Sequence, residues 1–87
     1  MSKYRIVSVR SKRERENKWH RVVTGKLCVI ESLEWGEMAW LRIWGISPWE
    51  ETTRFHTSSV LKTTEKDGVL TIDTVNSVYT LEMVNEQ

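Results

Sequence analysis

The chain has 87 residues, with 13 Lys or Arg against 12 Asp or Glu, a hydrophobic fraction of 39% and a single cysteine. That length suits one domain of modest stability, Cys28 alone cannot form an intrachain disulfide, and no apolar run approaches the roughly 20 residues of a membrane-spanning helix. The net charge of +1 conceals a split: residues 1–26 carry nine basic and two acidic side chains, whereas residues 27–87 carry four and ten.

Residues 3–10 alternate polar and apolar, with Tyr4, Ile6 or Val7, and Val9 as the apolar positions, and read as a first strand. This start has no continuous apolar stretch of the signal-peptide kind, so a cytoplasmic location is the expectation. Residues 11–18, SKRERENK, are all polar and read as a charged loop or arm, with room for a helical turn. Residues 19–31 are rich in β-branched side chains (Val22, Val23, Val29, Ile30) and read as strand, with Gly25 as a bulge or bend. Cys28 lies inside this run, where its ordinary role is that of a small buried apolar residue.

SLEWG then makes a turn, and residues 37–46, EMAWLRIWGI, read as the returning strand of a hairpin. Glu37, Met38, Ala39, Leu41 and Arg42 are also good helix formers, and the spacing of Trp40 and Trp44 fits either period. Gly36 and Gly45 bracket only eight residues, a length normal for a strand and short for a helix. Ser47-Pro48 ends the element and EETTR reads as loop. Residues 55–63 form a further strand, and Asp67-Gly68 is a tight-turn signal. In the run that follows, Leu70 and Ile72 alternate with Thr71 and Asp73. A turn or bulge at Val75-Asn76 leads to a last strand with Tyr79, Leu81 and Met83 on one face. Together these elements predict an all-β fold, a single small antiparallel barrel or sandwich over 1–87 with five to six strands and at most one short helix.

The tail contains T-S-x-V at Thr57, Ser58 and Val60, then the Asp67-Gly68 turn. T-x-N-S-x-Y-x-L follows at Thr74, Asn76, Ser77, Tyr79 and Leu81. This third of the chain resembles the end of small uncharacterised β-rich proteins of phages and prophages. The resemblance implies an accessory protein and brings no activity with it.

Chemistry is sparse. His20, Cys28 and His56 are the only soft ligands or nucleophile–base candidates; they lie 8 and 28 residues apart, without the close pairing of a zinc site or the local signature of a nucleophile. The four glycines are isolated, so no phosphate loop exists. The reading is a non-enzymatic protein with no catalytic residues, no metal, no cofactor and no evident small-molecule substrate.

Two surfaces remain. The first rests on the tryptophans, five in all, four of them between residues 35 and 49. In a strand, Met38, Trp40, Arg42 and Trp44 share one face and Ala39, Leu41 and Ile43 the other. The first face is either a contact surface of the Trp and Arg type that interfaces favour, or the core itself with Arg42 reaching out at the rim. Trp49 is expected to cap the open barrel end. The leading reading is therefore an interaction protein that binds a protein partner, or a copy of itself, through Met38, Trp40, Arg42, Trp44 and Trp49. The alternative is a nucleic-acid-binding barrel in which Lys12, Arg13, Arg15, Lys18 and Arg21 contact phosphates and Trp19 stacks on a base.

Overall fold

The computed structural model describes residues 2–13 and 17–84. It is a closed barrel of six strands, each antiparallel to the next, with the last pairing back onto the first. The strands are β1 (Lys3–Ser11), β2 (Leu27–Ser32), β3 (Met38–Trp44), β4 (Thr52–Lys66), β5 (Val69–Thr74) and β6 (Ser77–Met83). One short helix, α1 (Lys18–Val23), joins β1 to β2. The all-β barrel expected from the sequence is the fold observed.

Alternation builds the core. Ala39, Leu41 and Ile43 of β3 are fully buried, as are Ile72 of β5 and Leu81 of β6, and Leu70 and Tyr79 nearly so. Ile6, Val23, Cys28 and Val60 complete the apolar interior. At about 25 cal/mol per Å² of apolar surface removed from water, each large aliphatic side chain there contributes roughly 1.5–3 kcal/mol.

Closing six strands needs strong local twist, and bulges supply it. Register shifts occur at Val7 in β1, between Ile30 and Ser32 in β2, between His56 and Ser59 of β4 opposite Met38 and Trp40, and between Val60 and Lys62 in β4. The first explains an ambiguity in the sequence. Ile6 points into the core, Val7 bulges out at 46% exposure, and Val9 packs inward again, so strict period-two reading fails across Val7. At Ala39 the amide donates to Thr57 Oγ1 at 3.0 Å. At the β4 bulge the carbonyl of Leu61 accepts the indole N–H of Trp35 at 2.9 Å.

The β4–β5 connection is the tight turn expected at Asp67-Gly68. Both residues have positive φ, 52° and 79°, as a type I′ hairpin turn requires. Two boundaries depart from the sequence reading. Residues 52–54 and 64–66, read as loop, belong to β4, because Thr52, Thr53 and Arg54 pair with Trp44, Ile43 and Arg42, and Glu65 and Lys66 pair with Leu70 and Val69.

The other departure is larger: residues 18–23, KWHRVV, are helix where strand was expected from residue 19. Asn17 caps the helix by accepting from the Trp19 amide at 3.0 Å, and His20 and Val23, three apart, are its buried positions. Val22 is 37% exposed, so one of the β-branched residues that argued for strand faces outward. Gly25 (φ 86°) lets the chain leave the helix, and its amide bonds to Ile6 O at 2.7 Å. Strand begins only at Leu27.

Candidate functional site: a cation–aromatic face and an open barrel mouth

With Ala39, Leu41 and Ile43 filling the inside of β3, its other face turns outward. Met38 is 42% exposed, Arg42 is exposed, and Trp40 and Trp44 are half-buried. Of the two arrangements open to the sequence, the outward-facing one is observed. What half-covers the two indoles is neighbouring side chains on the same surface. The Arg54 guanidinium lies 4.5 Å from the Trp40 ring centre, and His56, the cross-strand partner of Trp40, stacks obliquely at 5.0 Å. The Lys3 ammonium sits 5.1 Å over Trp44.

Between the two indoles, Glu31 of β2 bridges both arginines. Its carboxylate meets Arg42 Nε and Arg54 Nε, each at 3.1 Å. Desolvation works to raise the Glu31 pKa, but the hydrogen bonds and charges of Arg42 and then Arg54 prevail and hold the carboxyl below its ordinary value of 4.5. One carboxylate shared by two guanidinium groups leaves positive charge over in this triad. Lys3, Glu31 and Arg54 were not singled out in the sequence, and His56 was weighed there only as a ligand or nucleophile–base candidate. Pairing β4 against β3 in register would have placed Arg54 and His56 beside Arg42 and Trp40, but that register depends on a strand start hidden in a polar segment.

The most exposed tryptophans flank β3 in the chain. Trp35, before it, is 82% exposed and Trp49, after it, 88%. Trp49 therefore does not cap the barrel as expected: Ser47 Oγ accepts its amide at 3.3 Å and its ring projects into solvent.

Within the basic segment, Arg13 and Trp19 line one cavity. Lys12 is held by Asp73 and by the carbonyl of Thr74, which occupies its ammonium. Arg13, Lys18 and Arg21 are exposed, Trp19 is 45% exposed, and Arg15 lies outside the described residues.

A cavity of about 820 Å³ opens beside this segment. It arises from the way β4 is shared. Residues 52–59 pair with β3 and residues 60–66 with β5, so the first half of β4 has a strand on one side only. Ile43, Phe55 and Tyr79 form its apolar wall, with Val23 and His20 contributed by α1. Tyr79 makes edge-to-face contacts with Phe55 and His20, each at 6.2 Å between centres. Arg13, Trp19, Arg54 and His56 stand around the opening.

The side of the mouth formed by the β5–β6 turn is braced by hydroxyls. Ser58 Oγ donates to Thr74 Oγ1 at 2.9 Å and accepts the Asn76 amide at 3.0 Å. Thr74 Oγ1 also accepts the Ser77 amide and donates to the Ser77 carbonyl. Ser58 of T-S and Thr74, Asn76 and Ser77 of T-x-N-S thus hold β4 to the β5–β6 turn.

The remaining chemical candidates do not assemble. Cys28 is fully buried, and burial pushes its thiol up to about 12, away from a reactive thiolate. His20 and His56 reach the mouth, but Cys28 is not in its lining. Among the described residues, no three His, Cys, Asp or Glu side chains group closely enough to hold a metal ion, and no helix is long and apolar enough to cross a membrane.

Comparison with protein-family models, with curated proteins and with solved structures gives no match to this chain.

Proposed function

We propose that this barrel is a non-enzymatic binding protein whose β3 face docks a protein partner with an acidic surface. One observation carries the reading: Ala39, Leu41 and Ile43 fill the core without help from Trp40 and Trp44, which lie outside beside Arg42. Trp and Arg are the residues that dominate interface energetics, and patches of this kind are uncommon on proteins that bind nothing. The two guanidinium groups of Arg42 and Arg54 against the one carboxylate of Glu31 select an acidic counterpart. Trp35 and Trp49 supply further exposed aromatic surface next to β3 in the chain.

Nucleic acid is the less favoured partner for this face. The indoles are already covered by cations, Glu31 stands among the arginines, and Lys12 is occupied by Asp73. A role as a phage-type accessory protein, which the tail resembles, is consistent with a small partner-binding barrel.

The test is a titration with a labelled peptide of alternating Glu and Leu, and in parallel with single-stranded oligothymidine. The peptide should bind, and Trp44→Ala should abolish that binding while the protein stays folded. The double change Arg13→Glu and Lys18→Glu should leave peptide binding unchanged. Unfolding of Trp44→Ala would place Trp44 in the core and end the reading. Oligothymidine binding that falls steeply with salt and vanishes in the Arg13/Lys18 variant would transfer the function to the basic segment.

A further inference from the structure

The open barrel mouth adjoins the β3 face, with Arg54 and His56 at the border of both, and its interior chemistry differs. Its volume, about 820 Å³, falls within the roughly 300–1,000 Å³ of small-molecule sites. Among the described residues, its lining includes two arginines and two histidines and no carboxylate. Its walls are rings: Phe55 and Tyr79 inside, Trp19 at the opening. We propose that this mouth binds a small planar anion, an aromatic ring system bearing a sulfonate, phosphate or carboxylate group.

The argument runs from placement to ligand. Tyr79 is fixed at the centre of the wall by edge-to-face contacts with Phe55 and His20, so the pocket presents ring surface held in one orientation. A flat ring entering from solvent slides between that wall and Trp19, whose indole is 45% exposed. The anionic group then stays at the opening, within the field of Arg13 and Arg54. Arg54 shares its counter-ion Glu31 with Arg42, so one carboxylate serves two guanidinium groups and positive charge is left over. The Ser58–Thr74–Ser77 hydroxyl network braces the β4 side of the mouth against the β5–β6 turn. The site is therefore formed before the ligand arrives, which reduces the ordering cost of binding.

The five indole N–H resonances allow a direct test. Naphthalene-2-sulfonate is titrated into the isotope-labelled chain, with the neutral naphthalene-2-sulfonamide as comparator, and the indole signals are assigned by single Trp→Phe variants. The Trp19 signal should shift saturably with the sulfonate while those of Trp35 and Trp49 stay in place. The neutral comparator should bind more weakly. Arg13→Ala, at an exposed position whose loss leaves the barrel intact, should weaken sulfonate binding by about tenfold. Trp44→Ala should leave it unchanged, which separates this site from the β3 face. Equal affinity for the neutral compound, shifts spread over Trp35 and Trp49, an unshifted Trp19, or indifference to Arg13→Ala would each overturn the proposal.

Discussion

Leu41 and Trp40 are neighbours on one strand with opposite roles. Leu41 is fully buried in a close-packed interior, so Leu41→Ala leaves a cavity and should cost about 2–5 kcal/mol, read from denaturant unfolding. Trp40 has the larger side chain, but it is half-buried beneath a cation and a histidine. Trp40→Ala forfeits chiefly a cation–π contact of about 0.5–1 kcal/mol and some surface packing, so it should destabilise less than Leu41→Ala. The reverse order would mean that Trp40 belongs to the core. Cys28 reports on the same interior. Its thiol should resist alkylation in the folded protein and react at the rate of global opening. Its folded pKa, about 12, lies above the ordinary 9.0, so the unfolded chain ionises first and the stability tied to this group is lost as pH rises across that interval. Inward and outward positions on β3 were legible as an alternation in the sequence. Which of the two faces was the core was not, because Trp is apolar enough for either, and Arg42 decided it only once Glu31 and Arg54 were seen around it.

At the scale of elements, α1 is the least stable piece and the least legible. Six residues cannot hold a helix by propensity alone; the Asn17 cap and the burial of His20 and Val23 do it. Asn17→Ala should cost about 0.5–2 kcal/mol. The check is hydrogen exchange, which should accelerate at the Thr24 amide, bonded to His20 O, with β3 and β4 unaffected. The β2–β3–β4 surface has its own test in pH. The Glu31 pKa is depressed in the folded state, so its bridge is intact above the ordinary carboxylate value and is lost as pH falls through the depressed one. The side-chain carboxyl signal of Glu31 should titrate with a midpoint below 4.5, and Arg42→Ala should move that midpoint upward. An unchanged midpoint in Arg42→Ala would show that the bridge does not form in solution. The Asp67-Gly68 turn and the β5 alternation were readable because turn chemistry and period are local. The bulges were not, since each breaks the period by one residue and its cause is the closure of the whole barrel.

For the molecule as a whole, the charge split of the sequence does not become a single basic pole. Lys12 is neutralised by Asp73 of β5, and Lys3 joins the tryptophan face. The mouth draws on α1, β3, β4, β6 and on Arg13 and Asn17 before the helix, positions far apart in the chain, which is why no local pattern announced it. The β3 face rests on one strand and its register partners, and was therefore half visible. The central claim is that this face exists for an acidic partner. It is tested most directly by following the Trp40 and Trp44 indole resonances while the alternating Glu–Leu peptide is added. Saturable shifts of both signals, with Trp19 unmoved, are the predicted result. Binding that shifts Trp19 and leaves Trp40 and Trp44 in place would contradict the account.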